Sequence, residues 1–303
     1  MTPADAHAVR LQRLQKDWQP IPDKPEETAE NTLLALGWAA AGMPRSAIAA
    51  GASTAPPPLD DEAQRRLDVL LEARMAGVPL AHLTGRQHFL GLELLAGPGA
   101  LIPRAETELL GRAAIGLAQE IGAGLAIDAC TGCGNLALAL ARHVDCIRVH
   151  GTDLSEEAVG LARSNAAMLE LEDRVGFRSG DLLAAFDTAE FSGSVDLIVC
   201  NPPYISSGKV AAMAPEISAH EPRLAFDGGS LGVSILTRLI HEAPRFLRVG
   251  GWLAFEVGLG QGSAMARRLR NDAAWDEVRE HRDADGQVRV VLARRGATNE
   301  VTA

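Results

Sequence analysis

No run of about 18 consecutive apolar residues occurs in the chain, which argues against a membrane-spanning helix and a membrane partner. The opening Met1-Thr-Pro-Ala-Asp5 lacks the basic start and apolar stretch of a secretory signal. Cationic excess is missing too. The formal net charge is −10, lysine occurs only at Lys16, Lys24 and Lys209, and nearly every cation is arginine. Affinity built on neutralising many phosphates is disfavoured, so no direct nucleic-acid partner is expected. Cysteine is scarce. Cys130, Cys133, Cys146 and Cys200 fall in or beside predicted core elements, unlike the framework of a small secreted domain. Cys130-x-x-Cys133 has no second Cys or His pair at matching spacing, and His82, His88, His143 and His220 form no ligand pattern, so no metal is expected. What is present is a 303-residue chain, 47% hydrophobic, with enough apolar surface for a large core. A cytoplasmic enzyme of one large or two unequal domains fits these limits.

The patterning changes along the chain. Up to about Arg86 it reads as helical: residues 29–50 carry Leu33, Leu34, Leu36, Trp38 and Ile48, interrupted by Gly37, Gly42 and Pro44. Residues 61–76 show a 3.6-residue period through Leu67, Leu70, Leu71 and Met75. Short extended pieces follow, such as Gln87 to Leu95. Strands then alternate with helices. Leu125–Cys130, Ile147–Thr152, Val175–Arg178, Val195–Cys200, Trp252–Val257 and Gln287–Ala293 read as strands. Leu136–His143, a segment opening at the N-cap Ser155, Gly232–Leu247 and Gly262–Arg270 read as helices. The alternation predicts an α/β fold, a doubly wound, mostly parallel Rossmann-like sheet. It implies a helical domain over 1–86, a connecting segment over 87–110, the α/β domain over 111–296 and a tail over 297–303. Ligands of such sheets bind beyond the carboxyl ends of the strands.

Four of those ends carry chemistry. Asp128-Ala-Cys130-Thr131-Gly132-Cys133-Gly134 follows the first strand, and its glycines let a backbone approach a ligand. Asp153 ends the second, placed to grip two ribose hydroxyls. Alone these also fit the dinucleotide fingerprint of an NAD enzyme. Asp128 ahead of the glycines suits a cationic sulfonium and would repel a pyrophosphate. Gly180-Asp181-Leu182 after the third strand can meet an adenine amino group. The fourth strand ends at Asn201-Pro202-Pro203-Tyr204. Two prolines force the chain out of the ladder in a stiff turn that keeps its carbonyl acceptors. Such a turn holds a planar –NH2 group beside an aromatic ring. Together the features look like an S-adenosylmethionine-dependent amino-group methyltransferase.

From about residue 65 to 293 the chain resembles the HemK-type protein-(glutamine-N5) methyltransferases that act on release factors. The stretches carrying the resemblance are Gly77-Val-Pro79, Leu83-Thr-Gly85, Leu101-Ile-Pro-Arg-Ala-Glu-Thr-Glu108, Asp153-Leu-Ser155, Ala162-x-x-Asn165 and Asn201-Pro-Pro-Tyr-Ile205. Glu221-Pro222, Gly228-Gly229, Gly250-Gly251, Glu256-x-Gly258, Gln261, Asp283-Ala-Asp-Gly286 and Arg289-Val-Val complete it. The chain departs from the family at Cys130, where glycine is usual, at Cys133 (Thr or Ser), at Ala105 (Pro) and at His82 (Tyr). The resemblance implies S-adenosyl-L-methionine held by Asp128, Cys130, Thr131, Gly132, Cys133, Gly134, Asp153, Asp181, Leu182 and Asn201. It implies an acceptor amide held by Asn201, Pro202, Pro203 and Tyr204. The acceptor would be the glutamine of a Gly-Gly-Gln loop in a peptide chain release factor, docked by the helical N-terminal domain. Glu216 and Glu221 are expected either to position that loop or to be merely solvated. A small amide- or amine-bearing metabolite, or less favourably a nucleic-acid base, is the alternative acceptor.

Overall fold

The computed structural model describes residues 3–18, 24–53, 55–213, 217 and 219–297. The chain divides into two compact units. One comprises the described residues up to Pro98, with Ile102–Ala105 and the described part of 213–221. The other comprises Gly99–Leu101, Glu106–Ala212 and the described residues from Pro222 onward.

The first unit is helical, closed by a hairpin: α1 (Pro3–Asp17), α2 (Ala29–Ala40), α3 (Ala47–Gly51), α4 (Asp61–Met75), α5 (Leu80–Thr84), β1 (Arg86–Phe89) and β2 (Leu92–Leu95). The predicted 29–50 stretch splits in two because the chain leaves α2 after Ala40 and restarts at Ser46, whose hydroxyl accepts from the Ala49 N–H at 3.3 Å. Asp60 caps α4 in the same way, accepting from Ala63 at 2.8 Å. Leu33, Leu36, Leu67 and Leu71 from α2 and α4 meet Leu14, Trp18 and Leu80 in one buried cluster.

The second unit holds a seven-stranded sheet, in which β3 (Leu125–Ala129), β4 (Arg148–Asp153), β5 (Val175–Ser179), β6 (Val195–Cys200) and β7 (Leu247–Glu256) run parallel. The last two strands, β8 (Trp275–Arg282) and β9 (Val288–Arg295), form an antiparallel hairpin, and β9 pairs with β7. Strand order is β5-β4-β3-β6-β7-β9-β8, so the winding reverses between β3 and β6. The helices of this unit are α6 (Thr107–Ile121), α7 (Asn135–His143), α8 (Glu156–Met168), α9 (Ser207–Val210), α10 (Ser234–Phe246) and α11 (Gly262–Arg270).

Strand residues of one parity (Ile127 and Ala129, Ile198 and Cys200, Leu253 and Phe255, Val291 and Ala293) pack against α10 and α11 through Leu236, Leu239, Ile240, Met265 and Leu269. On the other side α6 packs against β6, β7, β9 and α7. Its Leu110, Ala114, Leu117 and Ala118 are buried at helical spacing, and Gly122 ends it at φ +61°. No helix among the described residues is long and apolar enough to cross a membrane.

Candidate active site

The reversal of winding leaves the carboxyl ends of β3 and β6 side by side, with Ala129 in register with Cys200. Cys130 and Asn201, the next residues, therefore leave the sheet at one level. A cleft opens there, within the second unit. Cys130, Gly132, Asp153, Asp181, Leu182, Asn201 and Pro203 line it, with a mostly apolar remainder that includes Leu101, Leu154, Ala158, Leu224 and Ile235.

The other residues singled out in the glycine-rich turn stand behind that wall. Asp128 is wholly buried; its Oδ2 accepts from the Thr131 hydroxyl at 2.6 Å and the Ala137 N–H at 3.1 Å, while Oδ1 has no partner. Burial pushes its pKa up to about 7, against the pull of those two hydrogen bonds. It braces the turn from beneath and does not line the cleft. Cys133 is also buried, and desolvation lifts its thiol to about 12. Its carbonyl accepts from the fully buried Asn165 at 3.0 Å, so α8 pins the turn from the side. Gly132 (φ +54°) and Gly134 (φ +85°) take left-handed backbone, and a Cβ on Gly134 would meet Phe177 at 2.9 Å. Cys130 adopts the same left-handed region at φ +57°. That conformation explains why glycine is the usual residue there.

Asp153 joins the pieces. Oδ2 accepts from Gly132 N–H and Oδ1 from Ser155 N–H, both at 2.9 Å, and burial raises its pKa. Ser155 caps α8, accepting from Ala158 at 3.2 Å. Asp181 accepts from both guanidinium nitrogens of Arg238, at 3.2 and 3.0 Å, on an exposed edge of the cleft. Leu182 follows in left-handed backbone (φ +49°) and joins the core.

The Asn-Pro-Pro-Tyr turn rests on a polar network. Asn201 Nδ2 donates to the Thr107 hydroxyl oxygen at 3.0 Å, which leaves Oδ1 as its free end. The Thr107 hydroxyl also faces the buried Glu256 carboxyl. The Tyr204 hydroxyl lies 2.8 Å from Glu256 Oε1 and 3.2 Å from Glu106 Oε1. Arg289 pairs with Glu106 at 2.8 Å and stands 3.7 Å from Glu256. Burial and then the Glu106 charge push Glu256 up to about 7. Burial, then both carboxylates, push the Tyr204 phenol well above its ordinary value. Gln261 ties the turn from beyond, donating to the Tyr204 carbonyl at 3.0 Å and accepting from Gly258 N–H at 2.9 Å. Pro202 is buried, and neither it nor Tyr204 lines the cleft.

Thr107, Glu106, Glu256, Arg289, Asn165 and Gln261 were assigned no role by sequence reasoning, although each lies in a stretch that carries the family resemblance. In the first unit, Glu221 is buried rather than solvated. Its Oε1 accepts from Arg104 at 2.5 Å and its Oε2 from the Ile102 N–H at 2.8 Å, which fixes the Ile-Pro-Arg segment. Glu216 lies outside the described residues. Among those described, no cluster of His, Cys, Asp and Glu is arranged to hold a metal.

A sheet of this order with an antiparallel final hairpin, and a cleft at its point of reversal, defines a class I methyltransferase. A family model described as the methyltransferase small domain matches residues 115–234. A release factor glutamine methyltransferase of Streptomyces coelicolor is 38% identical over 73% of this chain and 78% of its own length. That of Gloeobacter violaceus is 36% identical over 71% and 74%. The chain belongs to the release factor glutamine methyltransferase family, and the NAD-enzyme alternative falls. The solved human methyltransferase 10 domain containing protein matches with a TM-score of 0.51 at 18% identity, over 68% of this chain and 89% of that one, a likeness of fold alone.

Proposed function

We propose that the protein transfers a methyl group from S-adenosyl-L-methionine to the side-chain amide nitrogen of a glutamine, that of the Gly-Gly-Gln loop of a peptide chain release factor. The observation that carries this reading is the Asn201 amide, tethered from behind by Thr107 with its oxygen left to accept. The family's named acceptor, a release factor glutamine, presents the –NH2 group that this oxygen would take.

The cleft fits the methyl donor. Its lining is largely apolar with a few carboxylates, a Cβ on Gly132 would meet open space, and the unpartnered Asp128 Oδ1 leaves a polar atom behind the turn. Asp153 and the turn from Cys130 to Gly134 would hold the ribose and backbone of the donor; Asp181 and Leu182 would hold its base. When bound, S-adenosylmethionine supplies an electrophilic methyl group.

An amide nitrogen is a poor nucleophile, because its lone pair is delocalised into the carbonyl. Asn201 Oδ1 accepts one of its hydrogens and fixes the nitrogen at the cleft wall; the Pro202 carbonyl and the Tyr204 ring, which stand outside the cleft lining, would take the other hydrogen and flank the amide plane. Alignment of this kind supplies roughly 7–11 kcal/mol of barrier reduction. Acceptors that strengthen as positive charge grows on nitrogen add to it. The N-methylated cation is strongly acidic and loses its proton to water, so no residue is assigned as base. The helical first unit would serve to dock the release factor. A partner that acts in translation puts the protein in the cytoplasm.

The test is transfer of label from S-adenosylmethionine to purified release factor, beside a factor whose Gly-Gly-Gln glutamine is replaced. Label on the intact factor alone is the expected result; equal labelling of both, or of neither, overturns the reading. Asn201→Ala should lower turnover by about 100-fold or more at saturating donor. Unchanged turnover would remove Asn201 from the acceptor site.

A further inference from the structure

In the second unit, Leu154 and Leu224 are exposed where they line the cleft, so a bound ligand would cover them. Leu231 and Leu259 lie outside both that lining and the core. They are 77% and 69% exposed, the two highest values among the described large apolar residues. Both stand beside the acceptor turn. A Cβ on Gly232, next to Leu231, would meet the Tyr204 carbonyl oxygen at 2.3 Å, and one on Gly258, next to Leu259, would meet the Tyr204 ring at 3.0 Å.

Neither leucine is exposed through looseness. One side chain, Gln261, ties both loops to the turn. Its Nε2 donates to the Tyr204 and Gly232 carbonyls at 3.0 and 3.2 Å, and its Oε1 accepts from Gly258 N–H at 2.9 Å. Partners that only accept or only donate fix both ends of that amide. The loop carrying Leu231 is also paired to the chain leaving the turn: Gly228 N–H donates to the Ile205 carbonyl at 2.8 Å, and Ser207 N–H to the Gly229 carbonyl at 3.0 Å. A large apolar side chain held in water adds no burial to the fold. On a rigid mounting it has little freedom left to lose when a partner covers it.

Resting on the reading of the acceptor as a release factor glutamine, we propose that Leu231 and Leu259 are apolar anchors that dock the surface of that factor around its acceptor loop. The argument is continuity with the acceptor turn. A loop that reaches Asn201 brings its flanking protein surface over the edge of the turn, where an apolar face on it would cover the leucines. An acceptor the size of a metabolite has no such surface to bring.

The experiment compares Leu231→Ser, Leu259→Ser and the double serine variant with Leu231→Met and Leu259→Met, which keep an apolar side chain. Val249→Ser is the control, at an exposed apolar residue near the opposite end of β7. Methyl transfer to purified release factor gives kcat and KM, and calorimetry gives the affinity for S-adenosylmethionine. Each single serine variant should raise KM for release factor about fivefold, and the double variant about 20-fold or more, with kcat and donor affinity within about twofold. The methionine variants and Val249→Ser should stay within about twofold of wild type. A wild-type KM in the double variant, a fall in kcat in place of a raised KM, or the same rise in Val249→Ser overturns the proposal. A wild-type protein that transfers no label to release factor overturns the acceptor reading itself, and the docking proposal falls with it.

Discussion

Cys130 stands at the lip of the cleft in a backbone conformation that side chains resist. Left-handed backbone costs a residue with a Cβ about 1–2 kcal/mol. The family's usual glycine escapes that cost, whereas this chain retains it beside the cofactor turn. The strain is separable from the sulfur's own packing by comparing two truncations. Cys130→Ala and Cys130→Gly both remove Sγ, but only the second relieves the backbone. Glycine's freer unfolded chain offsets about 0.4–1 kcal/mol of that gain. Cys130→Gly should therefore unfold at higher denaturant than Cys130→Ala, by up to about 1.6 kcal/mol, with no loss of donor affinity. A less stable glycine variant would mean that Cys130 is not strained.

At the scale of elements, the turns that build the site owe their shape to side chains acting on backbone. Ser155→Ala removes the cap of α8 and should cost about 1 kcal/mol, read from urea unfolding. Glu221→Ala is a harsher test in the other unit: it removes the acceptor of the buried Ile102 N–H together with one contact of Arg104, and should cost about 1–3 kcal/mol. A change below about 1 kcal/mol would mean that the pair is solvated after all.

The same elements show what a sequence reveals. Strands such as Val195–Cys200 announce themselves because they are buried on both faces and read as apolar runs. The edge strand Trp275–Arg282 does not: most of its residues are charged, and Arg294 of β9 pairs across to its Asp276 and Glu277. The start of α6 at Thr107 was likewise hidden behind Pro103, within a stretch that reads as a connector. Cleft-lining residues at strand ends were legible because topology places them. The network of Thr107, Glu256 and Arg289 was not, since its members come from three elements that only the folded sheet brings together.

For the molecule as a whole, two buried carboxyls weigh on the response to pH. Asp128 rises from 3.8, and Glu256 from 4.5, each to about 7, mainly because burial disfavours the charged form. Between the unfolded and folded values the native state binds more protons, so this contribution to stability is complete below the unfolded value. It is lost as pH rises through about 7. At about 1.4 kcal/mol per unit, each group is worth about 3–4 kcal/mol between the two limits. Asp196 works oppositely: its contacts with Arg248 and the Leu125 and Gly124 N–H groups outweigh its burial and hold it below its ordinary value, so its contribution is lost as pH falls through the acid range. The share of stability that Asp128 and Glu256 supply should therefore fall from about pH 4.5 to about pH 8. Urea unfolding across that range tests this in the wild type and in Glu256→Gln, which is neutral at every pH. The variant should show a clearly shallower decline. An identical decline in both proteins would mean that Glu256 is already ionised in the native state. Arg289, 3.7 Å away, would then outweigh burial in setting the charge behind the acceptor turn.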